Sequence, residues 1–119
     1  MAATSATGTV SSMQTTAHGG HDPLRVVVAG AGVAGLESVV ALRGLVGHRV
    51  ALTLVAPTDE FIVRALEVLE PFGAGRAQRY PLADLAADLD VALVRDAVAR
   101  VEHAEHFVRL QSGDVLPYD

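Results

Sequence analysis

The chain has 119 residues, half of them hydrophobic, and carries a formal charge of −5 from 14 acids and nine bases. Every base is Arg, aromatics make up only 4%, and there is no cysteine. This composition fits one globular domain of small aliphatic residues. It excludes disulfides, cysteine zinc sites and thiolate nucleophiles. It also excludes a phosphate-backbone reader, which needs clustered cations, so nucleic acid is not an expected partner.

Residues 1–22 read as a disordered tail. Up to His21 there is no charged side chain, eight Ser or Thr and no hydrophobic period. The stretch has neither the basic n-region nor the apolar h-region of a secretory signal, and it has no Arg of a mitochondrial presequence, so a cytoplasmic location is expected. No apolar run approaches the ~20 residues of a membrane span.

From residue 23 the pattern changes. Leu24 to Ala29 is a β-branched run that predicts a strand buried on both faces, the kind found in helix-covered parallel sheets. Val33 to Val46 carries apolar residues at helical spacing and ends near Gly44 and Gly47. Arg49 to Val55 predicts a second buried strand. Together these make a right-handed β-α-β unit with parallel strands.

Pro57 to Glu60 reads as a turn, Phe61 to Leu69 as a short helix and Gly73 to Tyr80 as an exposed loop. Pro81 to Leu89 reads as a short helix with Pro81 in its first turn. Val91 to Arg95 is a third strand. Ala97–Val101, Phe107–Leu110 and Val115–Tyr118 then predict an antiparallel meander, with turns at Glu102–His106 and Gln111–Asp114.

Between the first strand and the first helix lies Gly30-Ala31-Gly32-Val33-Ala34-Gly35, a G-x-G-x-x-G. The strand before it and the helix and strand after it are what make the motif informative. Gly30 allows a tight turn, Gly32 leaves room for a pyrophosphate against the backbone, and Gly35 lets helix and strand pack closely. Phosphate would then be held by free N–H groups and the helix dipole, without cations. The acid expected about 20 residues on, for the ribose hydroxyls, is absent: Ala56 stands there, followed by Pro57. Asp59 and Glu60 follow in the turn, either as solvated turn acids or as ribose contacts, and the ribose contact stays unassigned. No Arg directly follows the strand to favour a 2′-phosphate.

Other constellations read as surface. His103 and His106 with their neighbouring Glu residues fall at a hairpin turn without helical metal-ligand spacing. Asp84 and Asp88 share an exposed helix face with Asp90 nearby. No G-x-S-x-G elbow supports a serine hydrolase.

Three stretches give the chain a family resemblance: Val26 to Glu37 (VVVAGAGVAGLE), Phe61 to Phe72 (FIVRALEVLEPF) and Ser112 to Asp119 (SGDVLPYD). It resembles the N-terminal FAD-binding segment of the pyridine nucleotide-disulfide oxidoreductase superfamily, closest in pattern to the type II NADH dehydrogenase and sulfide:quinone reductase branch. Residues 23–119 then correspond to the N-terminal part of an FAD/NAD(P)-binding domain. The implied fold is α/β, a Rossmann-like βαβ with a parallel sheet plus a three-stranded antiparallel meander, forming part of a two-dinucleotide-binding-domain flavoprotein.

The resemblance implies FAD pyrophosphate at Gly30, Ala31, Gly32, Val33, Ala34 and Gly35. It implies adenosine ribose near Ala56 and Pro57, and adenine near the backbone of Ala97 and Val98. Arg64 falls in the segment that approaches the flavin; it also reads as a surface Arg paired with Glu67 or Glu60. Val63 and Ala65 replace the aromatic and Pro usual in that segment.

NAD(P)H is the implied co-substrate, with electrons passing to a quinone or similar acceptor. Quinone or peripheral membrane contact would belong to parts beyond residue 119. The absent C-x4-C pair disfavours the disulfide-reducing subgroup. No catalytic side chain and no metal ligand is identified, and the 119 residues alone are expected to be inactive. The alternatives are a stand-alone NAD(H)-binding regulatory module and an inactive truncated product.

Overall fold

The computed structural model describes residues 21–62 and 78–119. Strand β1 (Leu24–Ala29) leads through the glycine loop into helix α1 (Val33–Val46), and one 3-10 turn (Gly47–Arg49) feeds strand β2 (Val50–Ala56). Then come β3 (Glu60–Ile62), β4 (Arg79–Pro81), α2 (Leu82–Asp88), β5 (Ala92–Arg95), β6 (Val98–Glu102), β7 (Phe107–Leu110) and β8 (Val115–Pro117). Strands β1, β2 and β5 form a parallel sheet with β2 central; β6, β7 and β8 form an antiparallel meander. The fold is the expected one, α/β with a parallel sheet and a separate three-stranded meander.

The residues of β2 sort by parity into two cores. Val50, Leu52 and Leu54 are buried in a cluster with Val39 of α1, Ala86 of α2 and Val91. Val55 faces the other way, buried with Val108 and Leu110 of the meander, while Val27, Val94, Val98 and Tyr118 pack around them. A pleated strand sends alternate side chains to opposite faces, so β2 joins a helix layer to a meander layer. Each fully buried Val or Leu contributes roughly 1.5–3 kcal/mol of burial.

Strand β1 is only half-buried, against the sequence expectation. Val26, Val27 and Val28 are partly exposed and Leu24 is 59% exposed. The sheet order explains it: β1 lies at the edge, paired to β2 on one side.

The expected helix from Phe61 does not begin there. Phe61 and Ile62 belong to β3, paired antiparallel with Tyr80 and Arg79 of β4. Arg79 and Tyr80 are therefore strand rather than loop. The Phe61 and Tyr80 rings stack at 6.4 Å, a long-range pairing that local periodicity does not encode. Residues 63–77, which hold the rest of the expected helix and loop, lie outside the described residues. Pro81 closes β4 and occupies the N-cap position of α2 rather than its first turn.

In β6 a bulge between Val98 and Arg100 shifts the register. The extra residue changes the phase of the strand, so that Val101 stands opposite the buried Val108, on the same face as Val98, although Val101 itself is 55% exposed. The two meander turns fall where expected, with positive φ at His106 (56°) and Gly113 (98°).

Candidate functional site

The C-terminal ends of the three parallel strands lie side by side. Ala29 of β1 is in register with Val55, and Ala56 of β2 with Arg95 of β5. In open α/β sheets, ligands bind in the crevice outside these strand ends.

Gly30 leaves β1 at φ +99°, a conformation that suits glycine, and its N–H donates to the Val55 carbonyl at 2.8 Å. The loop is thereby tied to β2. A Cβ at Gly35 would overlap the Gly30 carbonyl oxygen, so only glycine lets α1 come this close. At Gly32 a Cβ would meet nothing within 4 Å. The three motif glycines thus separate physically: Gly30 bends, Gly35 packs, and Gly32 opens a space over the loop.

Gly32 is also the N-cap of α1. No side chain caps this end and no acid stands in its first turn. The first N–H to find an intrahelical acceptor is that of Leu36, which donates to the Gly32 carbonyl at 3.0 Å. The N–H groups of Val33, Ala34 and Gly35 belong to the turn that intrahelical bonding leaves unpaired. Val33 is 60% exposed and Ala34 is exposed, while Ala31 packs against the helix-side core. Open space over Gly32, free donors and the positive end of the dipole form a cradle that fits a pyrophosphate.

At the end of β2, Ala56 is fully buried and offers no side-chain acceptor. Its carbonyl accepts the Asp96 N–H at 3.1 Å. Pro57 is exposed beside it. The two acids that follow are paired: Asp59 with Arg95 at 3.1 Å and Glu60 with Arg79 at 3.5 Å. Sequence reasoning passed over Arg95, because its position matters only once β5 lies beside β2.

Val98 is half-buried where the meander meets the parallel sheet. Beside it, the Ala97 N–H donates to Asp96 Oδ1 at 2.7 Å and the Ala97 carbonyl accepts the Gln111 N–H at 2.9 Å. The Asp96 carboxyl sits below its ordinary range, held down by hydrogen bonding from Ser112 and from the Ala97 N–H. Both main-chain groups of Ala97 are therefore used within the protein. Arg64 lies outside the described residues.

A second feature missed in the sequence ties the meander to β1. Arg25 Nε and Nη2 donate to the two oxygens of Asp119 at 2.9 and 2.7 Å, and the Arg25 N–H adds a third bond at 2.8 Å. Hydrogen bonding to Arg25 holds the Asp119 carboxyl far below its usual range. His106, which stacks on Tyr118 at 5.6 Å and on His103 at 6.2 Å, belongs to the same end of the meander. Among the described residues no group of three or more His, Asp or Glu is placed to hold a metal ion, and no helix is long and apolar enough to cross a membrane.

A parallel βαβ with an open glycine loop and an uncapped helix end is the dinucleotide-binding class of fold. Solved structures carry the likeness further. The sulfide:quinone oxidoreductase of the hyperthermophilic bacterium Aquifex aeolicus matches over 81% of this chain, with a TM-score of 0.71 and 25% identity. The ferredoxin reductase of the CYP199A2 system from Rhodopseudomonas palustris matches over 79%, at TM-score 0.63 and 20% identity. Reduced CoADR-RHD from Bacillus anthracis matches over 82%, at TM-score 0.56 and 27% identity. All three are flavoproteins of the pyridine nucleotide-disulfide oxidoreductase type, and that is the superfamily this chain resembles. The chain spans 23%, 24% and 15% of their lengths. No protein-family profile matches the chain, and no curated protein matches it significantly.

Proposed function

We propose that residues 23–119 form the FAD-binding part of a flavin oxidoreductase, NAD(P)H- or sulfide-linked, that passes electrons to a quinone or similar acceptor. The observation that carries this reading is the loop from Gly30 to Gly35. It combines a positive-φ turn, open space at Gly32 and an uncapped helix N-terminus at the C-terminal edge of a parallel sheet. Bound FAD would supply hydride acceptance and electron transfer. The chain's own part is to hold the dinucleotide: N–H groups of Val33, Ala34 and Gly35 toward the pyrophosphate, and the Ala56–Pro57 strand end beside the ribose. By the resemblance, the adenine would lie near the backbone of Ala97 and Val98. The meander favours this reading over a stand-alone NAD(H) sensor, since after β5 the chain runs into three antiparallel strands where such a module would continue with further βα units.

Titration of the purified 119-residue chain with FAD, followed by quenching of flavin fluorescence, tests the assignment. Saturable quenching is expected. Gly32→Val places a branched side chain in the open space, so binding should weaken by about 10-fold or more, one hydrogen-bonded contact's worth, with the melting temperature unchanged. Absence of quenching in the unsubstituted chain, or a Gly32→Val protein that binds as well, would overturn it.

A further inference from the structure

The dinucleotide reading leaves the ribose without a partner, because Ala56 is buried and has no polar side chain. We propose that Asp59, positioned by Arg95, accepts the adenosine ribose hydroxyls in this chain. The inference rests on the dinucleotide reading and adds a residue to it.

Three acids follow the ends of β2 and β5, and the structure distinguishes them. Glu60 is drawn to Arg79 at 3.5 Å, along the β3–β4 ribbon. Asp96 uses both carboxylate oxygens inside the protein: Oδ1 accepts from Ala97 at 2.7 Å and Oδ2 from Ser112 at 3.4 Å. Asp59 meets Arg95 through Oδ1 alone, and among the described residues its second oxygen has no partner.

The mount of Asp59 is fixed even though its side chain is exposed. Its carbonyl accepts the Leu82 N–H at 2.8 Å, and the Thr58 hydroxyl donates to the Glu60 carbonyl at 3.3 Å. The turn after β2 is therefore held at the start of α2.

Arg95 supplies direction. It is the register partner of Ala56, so its guanidinium tethers the exposed Asp59 carboxylate to the β2–β5 end of the sheet. The pair is about two-thirds exposed, 67% and 64%. An ion pair that exposed contributes little to stability. Its carboxylate keeps acceptor capacity for a cis-diol, whose two hydroxyls are donors. A carboxylate receiving O–H donors is a charge-assisted arrangement, stronger than a neutral one. It replaces the strand-end acid from three residues further on.

The test uses the 119-residue chain with ADP and 2′,3′-dideoxy-ADP as probes, measured by calorimetry. ADP carries the pyrophosphate and adenosine common to FAD and NAD(P), so the readout does not depend on which dinucleotide is native. The unsubstituted chain should prefer ADP by about 10-fold or more, as expected for hydrogen bonds to a charged group. Asp59→Asn should remove most of that preference while the affinity for dideoxy-ADP stays level. Arg95→Gln should reduce the preference, and Arg95→Lys should restore part of it.

A preference unchanged in Asp59→Asn, with ADP still bound, would overturn the ribose assignment and leave the pyrophosphate site standing. Tighter binding of 2′-phospho-ADP than of ADP would also overturn it, assigning this end of the sheet to the Arg95 cation. An unsubstituted chain that binds neither nucleotide would remove the dinucleotide reading and this one together.

Discussion

Two adjacent strand ends are built with different chemistry. Beyond β1, six residues from Gly30 to Gly35 carry no charged or polar side chain at all, and backbone geometry does everything. Beyond β2, the backbone offers a buried Ala56, and the acids and arginines that follow form ion pairs in solvent. The first end is steric: one added carbon either collides with something or occupies empty space. The second is electrostatic, so its substitutions act by degrees and weaken with salt.

The steric end yields the largest expected effect. Gly35→Ala would drive a Cβ into the Gly30 carbonyl oxygen, and backbone atoms on both sides have little room to yield. A loss of about 3 kcal/mol is expected, the upper part of the overpacking range, with a fall of at least ~10 °C in melting temperature. Gly32→Ala, three residues away in the same motif, should leave the melt unchanged, because its Cβ meets nothing. Thermal unfolding of the two variants side by side separates a glycine that the fold needs from one that it does not. Equal losses would erase the distinction.

Next in size comes Arg43, which links the β-α-β crossover to the β5 side of the sheet. Its guanidinium donates to the Leu89 carbonyl at 2.9 Å, Gly47 at 2.6 Å, Val50 at 3.3 Å and Asp90 at 2.7 Å. The ends of α1 and α2 and the start of β2 are thus fastened by one planar fork. Arg43→Met keeps the aliphatic stem and leaves these carbonyls without their donor, a cost of about 2 kcal/mol. Lysine keeps the charge but not the fork geometry, so Arg43→Lys should recover less than half of the loss in denaturant titration. Full recovery by lysine would show that charge alone suffices.

The contrast between steric and electrostatic regions also explains what could be read in the sequence. The bounds of β1 and α1, the β-α-β order and the three meander strands follow from local signals: β-branched runs, helical spacing and glycine turns. The motif glycines were legible for the same reason, since their roles depend on immediate neighbours. What was hidden is pairing between residues far apart in the chain. Phe61 and Ile62 looked helical because Tyr80 and Arg79, their strand partners, lie beyond a long intervening segment. The apolar run of β1 looked doubly buried because hydrophobicity does not specify sheet order. Arg43 carried one usable signal, a basic residue in the last turn of a helix. Arg95 carried none, because its alignment with Ala56 exists only in the folded sheet.

The smallest expected effect lies at the far electrostatic contact, Arg25 with Asp119, where the meander closes on β1. Hydrogen bonds from the Arg25 side chain, then from its main-chain N–H, hold the Asp119 carboxyl well below its ordinary value of 3.8. Asp96 is lowered as well, first by Ser112 and then by Ala97. In both cases the unfolded chain binds a proton more readily than the folded one. Their contribution is therefore complete above the ordinary carboxylate range and is lost as pH falls below it toward the folded-state value. Melting temperatures from neutral pH into the acid should hold level and then decline below about pH 4. Asp119→Asn should lower the neutral plateau by less than Arg43→Met does and make the acid decline shallower, leaving the part due to Asp96. A variant whose acid decline is as steep as that of the unsubstituted chain would show that the clasp between meander and β1 does not depend on this carboxylate's charge.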